Sequence, residues 1–137
     1  MPYYIRARTY YRYAEEQLAA AEEALPKEPE RALKLAKEAI ERDVRALWSL
    51  VQIEAPKEKP PVERLFPELD KACEPWLAQE IEKAYRRIEE LSQNPSEEAS
   101  REAVELARFV VKRTREVLEP IIGPQEILSR HRKRFPF

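Results

Sequence analysis

Glycine, cysteine, histidine, methionine and asparagine each occur once in these 137 residues, and each scarcity excludes something. With Gly123 the sole glycine, the chain lacks the tight hairpin turns that an antiparallel sheet needs, and it cannot form a glycine-rich phosphate loop. The lone Cys73 has no partner for an internal disulfide. It reads as a small half-buried hydrophobe in a reducing cytoplasm, with no histidine nearby in sequence to activate it. His131 stands alone, whereas histidine metal sites want two or more at helical or hairpin spacing. A carboxylate centre inside a bundle would want inward glutamates with Glu-x-x-His partners, and that motif is absent. Ser49, Ser92, Ser96, Ser100 and Ser129 have no base partner recognisable from sequence. The expectation is no metal and no cofactor.

Long apolar runs are missing too. The longest uncharged stretch is the eight residues from Ala46 to Ile53, against the ~20 apolar residues that span a bilayer. The N-terminus has no apolar segment of the secretory type. The chain reads as cytoplasmic, with no membrane contact.

Twelve prolines are what the chain does have, clustered between long uninterrupted stretches. Proline is tolerated in a first helical turn and excluded from helix interiors, so the pattern predicts long helices separated by proline stops. A first helix is expected from Tyr3 to Leu25, with Tyr4, Ala7, Tyr11, Ala14, Leu18, Ala21 and Leu25 at alternating spacings of three and four. A second is expected from Glu30 to about Glu54. It carries two adjacent apolar stripes, which marks it as central, and Glu38–Arg42 and Glu41–Arg45 as i,i+4 pairs on its wet side. A polar loop then leads to a short helix over Val62 to Ala72, bent or interrupted by Pro67. A third helix opens at Pro75, with Leu77, Ile81, Ala84, Ile88 and Leu91 facing inward. Asn94-Pro95-Ser96-Glu97 reads as the N-cap, first turn and capping glutamate of a fourth helix that Pro120 stops after Glu119. A short helical piece over Gln125 to Arg130 precedes a basic tail. The fold class is all-α, an antiparallel up-and-down four-helix bundle forming a single domain over 1–137. Helices two and four share a likeness at an offset of 71, pairing Ala32, Leu35, Ala36, Arg42 and Leu47 with Ala103, Leu106, Ala107, Arg113 and Leu118; shared amphipathic patterning accounts for it. Abundant Arg and Glu, with proline rather than glycine in loops, is the composition of a thermophile.

The formal net charge is -1, but it is unevenly spread. Residues 1–13 hold Arg6, Arg8 and Arg12 with no acid, interleaved with Tyr3, Tyr4, Tyr10, Tyr11 and Tyr13. Arg130, Arg132, Lys133 and Arg134 flank His131 near the other end, followed by Phe135 and Phe137. The middle, 14–129, carries 18 basic and 26 acidic residues. Basic side chains bind phosphate and aromatic rings stack on unpaired bases, so these seven cations are candidate nucleic-acid contacts. Two plainer readings compete. Tyr4 and Tyr11 fall on the first helix's apolar seam, which makes them core, and a basic tail also suits a solvated end or a counter-charge to the acidic body. Trp48 and Trp76 read as packing anchors rather than ligand stackers.

The run Tyr13-Ala14-Glu15-Glu16-Gln17-Leu18-Ala19-Ala20-Ala21 resembles the opening helix of the HEPN family (higher eukaryotes and prokaryotes nucleotide-binding domain). Ala32 to Leu47 resembles that family's long second helix. Leu65-Phe66-Pro67-Glu68-Leu69 sits where the family has a similar connection, Ile81 to Tyr85 matches its third helix loosely, and Glu98-Ala99 onward its closing helix. The likeness spans about residues 10–119. It implies a helical bundle that forms a homodimer, in a family where many members are metal-independent ribonucleases or toxins, and many are encoded with a small nucleotidyltransferase. The ribonucleases carry an Arg separated from a following His by four to six residues. Here Pro124, Gln125 and Glu126 stand upstream of His131, so the motif is missing. Tyr85, Arg86 and Arg87 are the nearest alternative catalytic group, without an imidazole to move protons. The leading expectation is a non-catalytic module that binds nucleotide, RNA or a partner nucleotidyltransferase. A divergent metal-independent ribonuclease or toxin and a structural helical adaptor are the alternatives.

Overall fold

The computed structural model describes residues 2–52 and 59–123. Four long helices dominate: α1 (Pro2–Ala24), α2 (Pro29–Val51), α3 (Pro75–Gln93) and α4 (Glu97–Ile122). Two 3-10 turns, Val62–Arg64 and Phe66–Lys71, lie between α2 and α3, and no strand occurs among the described residues. Pro29 and Pro75 each sit at a helix start, where the missing N–H costs nothing. The bundle is all-α, as the proline spacing predicted.

Long-range contacts fix the topology. Arg6 in the first half of α1 donates to Gln52, just beyond α2, and Arg108 in α4 bonds Glu22 near the end of α1. Arg87 late in α3 meets Glu102 early in α4. Successive helices therefore alternate in direction, and α2 and α4 run parallel. Ser100 Oγ donates to the Pro29 carbonyl, tying the starts of α2 and α4 across 71 residues, the same offset as their sequence likeness. Ala32, Ala36, Ala103 and Ala107 are all fully buried, and such small side chains let helix axes approach closely. The core also takes Leu33, Ile40, Leu47, Leu77, Ile81, Ile88 and Val110, as the apolar stripes anticipated. α2 packs against α1, α3, α4 and both 3-10 turns, which makes it the central helix.

Several local expectations are corrected. The cap of α4 is Ser96, whose Oγ accepts from Ala99 N at 3.0 Å, not Asn94. Pro120 does not stop α4: it lies in the last turn and forfeits only its own backbone donor, and Gly123 N still reaches the Glu119 carbonyl at 3.0 Å. Gly123, at φ 89, ends the helix instead. The expected short helix is interrupted rather than bent, but at Leu65, and Pro67 sits in the first turn of the second 3-10 turn, where its fixed φ fits. α2 ends at Val51, with Gln52 extended. Tyr4 is 37% exposed, so of the two seam tyrosines only Tyr11 is core. Trp76 is 53% exposed: it sits in the first turn of α3, and its ring N–H donates to Glu74 instead of packing inward. Ile53, Glu54, the expected helix over 125–130 and the basic tail lie outside the described residues.

Candidate nucleic-acid interface

A helical turn of 3.6 residues divides the three arginines of α1 between faces. Arg6, Tyr10 and Tyr13, spaced four and three apart, share the face that meets the C-terminal half of α2. Arg8 and Arg12 share another. Arg8 Nη2 donates to the Ile122 carbonyl, satisfying an orphan acceptor at the negative end of the α4 dipole. Arg12 places its guanidinium 5.9 Å from the Tyr13 ring centroid. Its Nε is buried without a hydrogen-bond partner.

On the first face a cavity of about 400 Å³ opens, lined by Arg6, Thr9, Tyr10, Tyr13, Arg42 and Lys59. That is within the range of small-ligand clefts, roughly 300–1,000 Å³. Among the described residues, no carboxylate lines it. The Arg42 guanidinium lies 5.8 Å from the Tyr13 ring and Lys59 Nζ lies 5.8 Å from the Tyr10 ring. Arg6 stands 5.2 Å from the Tyr3 ring and donates to the neutral Gln52 at 3.3 Å. Arg45 supports the rim by donating to the Pro60 carbonyl at 2.9 Å, which holds the segment carrying Lys59 against α2. Partial burial, then the neighbouring Arg45 and Arg42, pull the Lys59 ammonium below its usual pKa, against a smaller opposing effect of Glu41. The expected Glu38–Arg42 and Glu41–Arg45 pairs do not form: Arg42 turns to Tyr13, Arg45 turns to Pro60, and Glu41 accepts from the Tyr85 hydroxyl at 2.9 Å.

Glutamates compensate many cations of the described surface, although not Lys27, Lys34, Lys37, Arg64 and Lys112, which have no ion pair there. Among the described residues, Arg31, Lys71, Lys83, Arg86, Arg87, Arg101, Arg108, Arg113 and Arg115 each pair with a glutamate. Arg6, Arg42, Arg45 and Lys59 form no ion pair there. A second groove, about 550 Å³ between α3 and α4, is larger, but Glu80, Glu90 and Glu102 stand among its cations. Its field is largely cancelled, so the smaller cavity is the better anion site.

The structure does not bring Tyr85, Arg86 and Arg87 into one catalytic group. Tyr85 is buried against the Phe66 ring at 5.3 Å and held by Glu41; burial and that carboxylate push its phenol pKa up. Arg86 pairs with Glu82 and Glu89 and lies over Phe66. Arg87 grips Glu102 in a two-bonded fork, at 2.6 and 3.0 Å. Each group is committed to a structural partner. Arg130, His131, Arg132, Lys133 and Arg134 lie outside the described residues, although Gly123, which leads toward them, sits beside Arg8.

Beneath this end of the bundle lies a polar layer that the sequence did not announce. Asp43 is 0% exposed and neither carboxylate oxygen has a hydrogen-bond partner. Burial, then the nearby Glu15, raises its pKa well above the usual carboxylate value and favours the protonated form. Tyr11, fully buried beside it, donates to Glu15 at 3.3 Å, and its phenol is likewise pushed up by burial. Cys73 is half-buried, with its thiol pushed up by burial and by Asp70 and Glu74, which disfavours the reactive thiolate. No cluster of metal-ligating side chains occurs among the described residues, and none of the described helices is long and apolar enough to cross a membrane.

Arg42 and Lys59 were not among the sequence candidates. Arg42 was findable: Tyr13 and Arg42 are equidistant from the turn at Lys27 and Glu28, so an antiparallel helix pair brings them level. Lys59 follows a loop whose path no periodicity predicts.

Comparison with curated proteins finds no match, and comparison with solved structures finds none. The model of the HEPN domain matches residues 7–127, which spans all four helices apart from the first residues of α1. The chain belongs to the HEPN domain family.

Proposed function

We propose that this HEPN domain is a non-catalytic binding module for single-stranded RNA or nucleotide, acting as a homodimer. The observation that carries the reading is the cavity of Arg6, Arg42, Lys59, Tyr10 and Tyr13, where cations lack carboxylate partners among the described residues and aromatic rings stand beside them. Backbone phosphates take the cations, and bases stack on the tyrosine rings. Arg8, Arg12, Arg130, Arg132, Lys133 and Arg134 are further candidate contacts for the nucleic acid in this proposal. A small nucleotidyltransferase, in a toxin–antitoxin arrangement, is the protein partner that belongs to the same proposal. The absence of an Arg–His pair at the family's spacing supports binding without cleavage.

The test is fluorescence anisotropy of a short single-stranded RNA with the purified protein in the presence of a chelator, followed by gel analysis of the RNA. The expected result is binding, weakened by Arg42→Ala, with intact RNA throughout. Metal-free cleavage that Arg86→Ala or Arg87→Ala abolishes would favour the ribonuclease alternative. Absence of both binding and cleavage would favour an adaptor.

A further inference from the structure

Three cations reach the cavity from three separate segments: Arg6 from α1, Arg42 from α2 and Lys59 from the chain leading into the first 3-10 turn. Arg45 stands behind them and is felt at Lys59, so the cluster repels itself. An internal phosphodiester brings one negative charge to such a cluster. A phosphomonoester near neutral pH brings between about 1.5 and 2, on three acceptor oxygens. Three donors from three directions match three oxygens of a chain end, whereas an internal phosphate has only two unbridged oxygens to offer. The space is also limited: about 400 Å³ suits one nucleotide unit rather than a run of several. Tyr10 and Tyr13 sit within 5.8 Å of Lys59 and Arg42 respectively, so a sugar or base attached to the phosphate meets an aromatic wall on leaving the cations.

We propose that this cavity takes a terminal phosphate, a phosphomonoester at the end of single-stranded RNA or on a free mononucleotide, in preference to an internal phosphodiester. The inference rests on the reading above that this face binds RNA or nucleotide. Among the described residues, the groups facing the phosphate are Arg6, Tyr10 and Tyr13 from α1, Arg42 from α2 and Lys59, with Arg45 and Glu41 of α2 acting on Lys59 from beyond it.

The experiment is competition, measured by anisotropy, against an internally labelled short RNA bound to the intact chain. Competitors of one sequence carry a 5′-phosphate, a 3′-phosphate or hydroxyls at both ends; uridine and uridine 5′-monophosphate form a second pair. A phosphorylated competitor is expected to act about tenfold more strongly than its unphosphorylated counterpart, the ratio given by one further charge-assisted hydrogen bond. That advantage should shrink as the pH is lowered through about 6, where the phosphate takes up its second proton. Lys59→Ala and Arg42→Gln should each erase it. Arg101→Ala, which removes an exposed pair with Glu97 at the start of α4, should leave it intact. Preference for one end, or for the mononucleotide, supports the inference and identifies the source of the phosphate. Equal competition by phosphorylated and hydroxyl-ended RNA, with RNA still bound, overturns the terminal-phosphate inference and leaves the RNA reading standing. A preference that survives in both variants places the phosphate elsewhere and overturns it too. Failure of any RNA or nucleotide to bind overturns both readings.

Discussion

Asp43 is the least comfortable side chain in the molecule, a carboxyl with no exposure and no hydrogen-bond partner. Its folded pKa lies well above the ordinary 3.8. The unfolded chain therefore releases this proton at lower pH than the folded protein does. The contribution to stability is intact below the unfolded pKa and is lost as pH rises through the folded one. Asp43→Asn keeps the shape and cannot ionise, so its stability relative to wild type should increase from acidic to neutral pH. Urea unfolding of both proteins across that window checks it, and a pH-independent difference would mean that Asp43 finds a partner. Gly123 makes a second residue-scale prediction. Its φ of 89 is a conformation that L side chains rarely adopt, and an added Cβ would have room, with Arg8 Nη2 at 3.9 Å. Gly123→Ala should therefore cost about 1–3 kcal/mol through backbone strain alone, measured by thermal or urea unfolding.

At the scale of elements, proline and apolar spacing were enough to place all four helices, because both act through the local geometry of a single helix. Helix ends were harder. Asn94 and Ser96 are both good caps, and the choice between them depends on where α4 must start for Ser100 to reach Pro29. Ser96→Ala should cost about 1 kcal/mol of stability, and Asn94→Ala distinctly less; comparing the two by denaturation decides which residue caps the helix. Pro120 shows the reverse difficulty: proline near a helix end is compatible with one further turn, so it marks an end only loosely. The candidate site was half legible. Arg6, Tyr10 and Tyr13 stood out as a basic and aromatic cluster, but the same cluster included Arg8, whose partner is the end of α4, more than a hundred residues away in sequence. Asp43 gave no signal, because its neighbours in α2 carry charge at similar spacing and only tertiary packing shows which of them points inward.

For the whole molecule, the decisive property is where charge goes unanswered. Among the described residues, glutamates neutralise the guanidinium groups of α3 and much of α4, while Arg6, Arg42 and Lys59 meet at one cavity without an ion pair. Surface pairs of this kind add little stability, roughly 0–1 kcal/mol each; their larger effect is to cancel the field over the groove between α3 and α4 and leave it at that cavity. Phe109 is exposed at the rim of the groove between α3 and α4, an apolar side chain that would suit the proposed self-association. Sedimentation at micromolar concentration should show a species of twice the 16.2 kDa chain mass, and a lone monomer would count against the homodimer. The most direct test of the binding account is the salt dependence of RNA affinity. Each phosphate neutralised on single-stranded nucleic acid contributes about 0.7 to the slope of log affinity against log salt. Replacing Arg6, Arg42 and Lys59 together by alanine removes the contact with the phosphate they share and should lower that slope by at least about 0.7, with helicity unchanged by circular dichroism. An unchanged slope in a folded triple variant would contradict the account.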